Sequence, residues 1–327
     1  MIPRRFGRLS DNATHRVCSG STAMAGYETV TTIQKTWLGL LRRVTALGPS
    51  WQGTRFESYL AIIDELIELE GRRRTDPDAY RAFRDDLHKQ EVLFEGGSQL
   101  FQLELAATVW DRLDQNVLAD KLEKILAGPV LPEPATLGSD QPRDLLVELL
   151  AAAMMADCGF TPTISQNDED LRASSPGRPD VFVECKRPAS ENSLPGALKK
   201  LRSQAWSRKE KRGATLCMAF IAAERVHNFR GLLKGGTPGE VAIEAERRLD
   251  ETNNKLRNLA AQTNMGLSPL TPVGVSTISA AVFVKDPVIV YHFVTRLPFD
   301  TGPAEATPDW LAERLKSSSG LLSSFVE

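Results

Sequence analysis

From Glu28 to Ala127 the apolar positions recur at three- and four-residue steps; after Pro142 they change to short alternating or continuous runs. Ile33, Trp37, Leu40, Leu41, Val44 and Leu47 mark one helical face, with Gly48-Pro49 as its stop. Tyr59, Ile62, Ile63, Leu66, Ile67 and Leu69 mark a second, ended by Gly71. Asp76-Pro77 opens a third segment, since the fixed φ of proline suits a first helical turn. It runs to about Phe94, where Gly96-Gly97 is expected to interrupt it. A fourth starts near Gln99 and carries Leu103, Val109, Leu113, Leu118, Leu122 and Ile125. This periodicity predicts an all-α N-terminal bundle domain over residues 28–127. Residues 1–27 are rich in Ser, Thr, Gly and Arg and have no apolar period, so they are expected to form a disordered lead.

Residues 128–141 carry Gly128, Pro129, Pro132, Pro134 and Gly138, the composition of a semi-rigid linker. The remainder, 142–327, reads as mixed α/β. A helix is expected over Pro142–Asp157 and a strand over Phe160–Gln166. Asp170–Ala173 and Val181–Lys186 form the arms of a hairpin around Ser174-Ser175-Pro176-Gly177. A helix over Leu194–Lys211 and a buried apolar strand over Thr215–Ala223 follow. Beyond them lie a charged helix from Gly239 to about Thr263, strands at Val273–Val284 and Val288–Leu297, and a short helix at Asp309–Lys316.

Composition narrows the function classes. The 327 residues hold 40 Lys+Arg against 42 Asp+Glu, a formal charge of −2, so a nucleic-acid site must be a local basic patch. Apolar residues at 42% and charged residues at 25% are ordinary globular values. Cys18, Cys158, Cys185 and Cys217 are scattered, with no C-x-x-C pair, which argues against a zinc ribbon or disulfide framework. That cysteine usage, the absence of an apolar signal region and the absence of any run near ~18 apolar residues lead to the expectation of a cytoplasmic, non-membrane protein.

The chemistry concentrates in Asp168-Glu169-Asp170 and in Pro179-Asp180-Val181-Phe182-Val183-Glu184-Cys185-Lys186. Alternate side chains of a strand share a face, so Glu184 and Lys186 point one way and Val181, Val183 and Cys185 the other. An acid and a lysine at the end of an apolar strand need a partner or a task. Two carboxylates can hold a hard divalent cation that keeps several of its waters, and a lysine beside them can orient an attacking water on a phosphodiester.

Two aspartates compete to accompany Glu184. Were Asp180 on the same continuous strand, four steps of about 3.3 Å would put it roughly 13 Å away. In a hairpin that pairs Ala173 with Val181, Asp170 instead falls opposite Glu184, with Cβ atoms about 4.5–5.5 Å apart. Asp170 is therefore ranked first, Asp180 is kept as the alternative and Asp168 stands a distant third.

Glu184-Cys185-Lys186 after an apolar strand, with an upstream aspartate and a preceding helix, resembles the PD-(D/E)XK nuclease superfamily, over about a quarter of the chain. The resemblance implies a restriction-endonuclease-like α-β-β-β-α-β core, here with extra C-terminal strands. It also implies a metal-dependent endonuclease acting on nucleic acid, with DNA as the expected substrate and restriction or defence as a role. On that pattern Asp170 and Glu184 would hold Mg²⁺ or Mn²⁺, Lys186 would serve the attacking water, and Glu148 of the preceding helix would support the metal shell. Glu148 is the only charge between Asp144 and Asp157. Gln204 lies on the following helix, where some members of the superfamily carry a glutamine.

That helix holds Lys199, Lys200, Arg202, Arg208, Lys209, Lys211 and Arg212 against a single acid, Glu210. The run could grip phosphates, and Lys199, Lys200, Arg202, Gln204 and Arg208 are the candidate nucleic-acid contacts. Trp206 could stack on a base, although packing is the commoner role for a lone tryptophan. The alternative to an enzyme is a nuclease-fold module that binds nucleic acid or a protein partner without cutting. The helical domain is where a second copy or a protein partner would dock.

Overall fold

The computed structural model describes residues 22–132, 140–165, 170–212, 216–222, 270–282, 289–296 and 308–317, with isolated positions between 247 and 262. Helices α1 (Val30–Ala46), α2 (Arg55–Arg72), α3 (Pro77–Asp85), α4 (Leu87–Ala106) and α5 (Gln115–Leu126) form the helical block. Side-chain oxygens cap four of them. Thr54 accepts from the Phe56 amide, Asp76 from Ala79, Asp86 from Lys89, and Asp114 from Asn116 and Val117.

The expected break at Gly96-Gly97 does not occur: α4 runs straight through it, and the chain breaks instead at Asp86. A Cβ on Gly96 would lie 2.6 Å from Cγ of Tyr59. The glycine therefore lets α2 and α4 approach closely, and that contact outweighs its poor helix propensity.

Helix α6 (Gln141–Asp157) follows, then strands β2 (Thr161–Ile164), β3 (Leu171–Ser174) and β4 (Val181–Lys186), helix α7 (Leu194–Arg212) and strand β5 (Leu216–Ala222). The chain continues with β6 (Leu270–Val282), β7 (Ile289–Arg296) and helix α8 (Asp309–Ser317). The expected helix from Gly239 to Thr263 lies mostly outside the described residues. Thr22–Thr29, which spans the end of the expected disordered lead and the first two residues of the expected bundle, forms a strand, β1, antiparallel to β7. Backbone pairing needs no side-chain period, so the pattern carried no signal for it. Residues 1–21 lie outside the described set.

The described strands make one sheet in the order β1-β7-β6-β5-β4-β3-β2. β4, β5 and β6 are mutually parallel and the other neighbours antiparallel. Helix α7 is the crossover between the parallel pair β4 and β5. The hairpin register is Ala173 to Val181, Arg172 to Phe182 and Leu171 to Val183.

Apolar residues on both sides of the expected linker at 128–141 pack together. One continuous apolar core takes in Trp37, Phe56, Leu100 and Leu122 from the helices, Leu146 and Leu150 from α6, and Leu171, Val183 and Phe220 from the sheet. α6 is apolar nearly all round, so it fills the space between the helical block and the sheet. The second, smaller cluster joins Leu194, Leu198, Leu201 and Ala205 of α7 to the opposite face of β5.

The start of the Pro-rich segment is also pinned. Arg143 donates to the carbonyls of Pro129 and Val130 and to the Tyr59 hydroxyl, and pairs with Glu95 at 2.6 Å and Asp140 at 3.0 Å. Burial opposes the Arg143 charge, but Glu95, Tyr59 and Asp140 outweigh it and raise its pKa. Residues 133–139 lie outside the described set. No described helix is long and apolar enough to cross a membrane.

Candidate active site

The site forms at the carboxyl end of β4, where the parallel sheet begins. Strand parity works as the alternation requires. Val181, Val183 and Cys185 enter the large core, while Phe182 packs against the α7 cluster. Glu184 shares the parity of Phe182 and is 1% exposed. Its Oε1 accepts from Nε of Arg208 on α7 at 2.9 Å. Its Oε2 is buried with no hydrogen-bond partner among the described residues. An unsatisfied buried oxygen is costly, and more so when it carries charge. Burial, then the nearby Asp170 carboxylate, raise the Glu184 pKa despite the pull of Arg208 and Lys186.

Asp170 stands one residue before Leu171, and the register carried one step further sets it opposite Glu184. Its Oδ2 accepts from the Cys185 amide at 2.6 Å and lies 3.8 Å from Nζ of Lys186. The Lys186 and Asp170 side chains are 20% and 24% exposed, so the cluster meets solvent through them and not through Glu184. Lys186 also donates to the Cys185 carbonyl at 2.8 Å. Cys185 is buried, and that burial, with Asp170 and Glu148 adding to it, holds its thiol well above the ordinary range. It is a packing residue with no nucleophilic character.

Glu148 approaches from α6. Its Oε2 accepts from Nζ of Lys121 at 2.5 Å, and both side chains are largely buried. Burial pushes the Glu148 pKa up to about 7. Lys121 opposes this, Asp170 adds to it, and Lys186 opposes it more weakly. Glu148 and Glu184 thus each feel Asp170 and Lys186.

Asp180 does not join them. It lies at the opposite end of β4, half-exposed, 3.9 Å from Nε of Arg172.

Two residues gain a place that the sequence reading did not assign. Lys121 was unassigned, yet it continues the stripe Leu118–Leu122–Ile125 of α5, and a charge on an apolar stripe was the available signal. Arg208 was assigned to a phosphate-facing surface. It falls at the next step of the inward series Leu194, Leu198, Leu201, Ala205 and turns onto Glu184. Of the remaining basic candidates, Lys199 and Lys200 are exposed and Arg202 is half-buried. Gln204, one turn before Arg208, has its Oε1 buried and unpartnered. Trp206 is exposed. The side chains of Lys209, Lys211 and Arg212 lie outside the described residues.

Among the described residues, no group of three or more His, Cys, Asp or Glu side chains is arranged to hold a metal ion. The donor set here is the pair Asp170 and Glu184, with Glu148 tied to Lys121. A hard cation that keeps several waters can be held by two carboxylates, and the orphaned Glu184 Oε2 is an acceptor that such a cation would satisfy. Asp170 and Glu184 are the residues that would hold such a cation. No protein-family model, curated protein or solved structure matches the chain.

Proposed function

We propose that this protein is a metal-dependent phosphodiesterase acting on nucleic acid, with DNA as the first substrate to test. The observation that carries the reading is the juxtaposition at the end of β4. A buried, unpartnered carboxylate oxygen of Glu184 stands beside Asp170, whose carboxylate lies 3.8 Å from Lys186. The α-β-β-β-α-β order from Gln141 to Ala222 is the order expected of a restriction-endonuclease-like core and supports the same reading. So does the position at the carboxyl end of parallel strands, where α/β sheets commonly bind ligands.

Asp170 and Glu184 would hold Mg²⁺ or Mn²⁺, which supplies positive charge to the scissile phosphate when bound. Lys186 is the solvent-facing cation of the group. Its ammonium can orient a water for attack and stabilise charge building on the phosphate oxygens. Glu148, titrating at about 7, can accept a proton near neutral pH. The Cys185 amide keeps Asp170 from turning away. Lys199 and Lys200, exposed on α7, are basic residues available to a phosphate backbone.

One set of contacts favours a second reading. Arg208 pairs with Glu184, Lys121 with Glu148 and Lys186 with Asp170, so the protein's own cations already serve all three acids. A module that binds nucleic acid without cutting would have this arrangement. Titrating Mg²⁺ into the protein, with DNA cleavage followed in parallel, separates the two. Cation binding that disappears in Glu184→Gln, together with cleavage, supports the enzyme; DNA binding with neither supports the module.

A further inference from the structure

Helix α5 turns Leu118, Leu122, Ile125 and Leu126 into the core, and Lys121 lies on the same face, 5% exposed. A leucine there would extend the stripe and leave no charge to desolvate. What the lysine meets is Glu148 of α6, at 2.5 Å, across the junction of the helical block and the α/β part. A buried pair of this kind adds little stability over apolar residues of similar volume, so a packing role alone does not account for it. Helix α6, which carries Glu148, packs against β3 and β4, the hairpin that ends in Lys186 and is preceded by Asp170, and Glu148 feels both of those charges.

We propose that Lys121 is a positioning residue of the reaction centre: its grip on Oε2 fixes the Glu148 carboxylate against the Asp170–Lys186 group, and the helical block is thereby part of the site. The inference rests on the hydrolytic reading above and deepens it. It gives the helical block a task other than docking or target choice, because an otherwise complete nuclease core would lose the orientation of Glu148 without α5.

The test compares Lys121→Met and Lys121→Arg with the full-length parent on DNA with Mg²⁺, measuring kcat and KM separately. Because positioning acts on the reacting geometry, Lys121→Met is expected to lose about 10–100-fold in kcat while KM for DNA stays within about twofold. Lys121→Arg, which restores a cation that can reach Glu148, is expected to recover most of the loss. Because Lys121 acts only through Glu148, adding Lys121→Met to Glu148→Gln should cost little beyond Glu148→Gln alone. Should Lys121→Met fail to fold, Lys121→Gln carries the same expectation. Parental kcat in a folded Lys121→Met or Lys121→Gln protein overturns the inference alone. So does a Lys121→Arg protein as impaired as Lys121→Met. A parent that neither binds Mg²⁺ nor cleaves DNA removes the hydrolytic reading itself, and this inference with it.

Discussion

The amide of Cys185 donates to Oδ2 of Asp170 at 2.6 Å, so the backbone of one hairpin arm fixes the carboxylate at the start of the other. That bond holds Asp170 within 3.8 Å of the Lys186 ammonium. It also distinguishes Asp170 from Asp180, which lies at the far end of the same strand beside Arg172.

The two aspartates should therefore respond differently. Asp170→Asn keeps an acceptor for the Cys185 amide but removes the charge, and is expected to abolish Mg²⁺ binding and cleavage. Asp180→Asn loses only a half-exposed ion pair, so stability should move by no more than about 0.5 kcal/mol and activity should remain. Calorimetric Mg²⁺ titration of both variants checks this. An inert Asp170→Asn and a dead Asp180→Asn would reverse the assignment.

Gly96 is expected to tolerate no side chain. A Cβ there meets the Tyr59 ring at 2.6 Å, so Gly96→Ala should destabilise the fold by about 1–3 kcal/mol through overpacking. Gly39, within α1, has no atom within 4 Å of its would-be Cβ, and Gly39→Ala should stabilise by roughly 0.8–1 kcal/mol. Urea unfolding of both variants checks the signs.

Arg55 is 2% exposed, and none of its three guanidinium nitrogens has a hydrogen-bond partner among the described residues. Burial, with Arg143 close by, lowers its pKa to about 10. A buried cation so poorly served opposes folding, and Arg55→Met should be neutral or stabilising, by up to about 3 kcal/mol. A large fall in the urea midpoint would contradict the contact pattern.

The hairpin register was legible because Leu171 and Ala173 on one arm, and Val181, Val183 and Cys185 on the other, all need the same apolar face. With the turn between them, few registers satisfy both. The burial of α6 was legible from its nearly unbroken apolar run. The passage of α4 through Gly96-Gly97 was not, because it depends on Tyr59, far away in the chain, and a glycine pair looks the same locally in a break and in a close helix contact. Arg208 and Lys121 were half-legible. Each lies on an apolar stripe, but which carboxylate each meets is decided by packing between elements and leaves no mark in local spacing.

Stability should depend on pH through Glu148. Its folded pKa of about 7 exceeds its unfolded value, so the folded state holds this proton more tightly. Its contribution therefore turns against folding as pH rises from about 4.5 to about 7 and levels off above that. The size is at most about 3 kcal/mol. Glu184, also raised, acts in the same direction. In buffer with a chelator, the parent should lose stability between pH 5 and pH 8, and Glu148→Gln should lose less. Equal slopes for the two would show that Glu148 titrates normally.

The most direct measurement is cleavage of DNA by the purified parent and by Lys186→Ala, with Mg²⁺ and with a chelator. The hydrolytic account requires metal-dependent scission by the parent, and a loss of at least about 100-fold in a Lys186→Ala protein that keeps the parental fold. Scission that persists in the chelator, or a variant that cuts as fast as the parent, would contradict it.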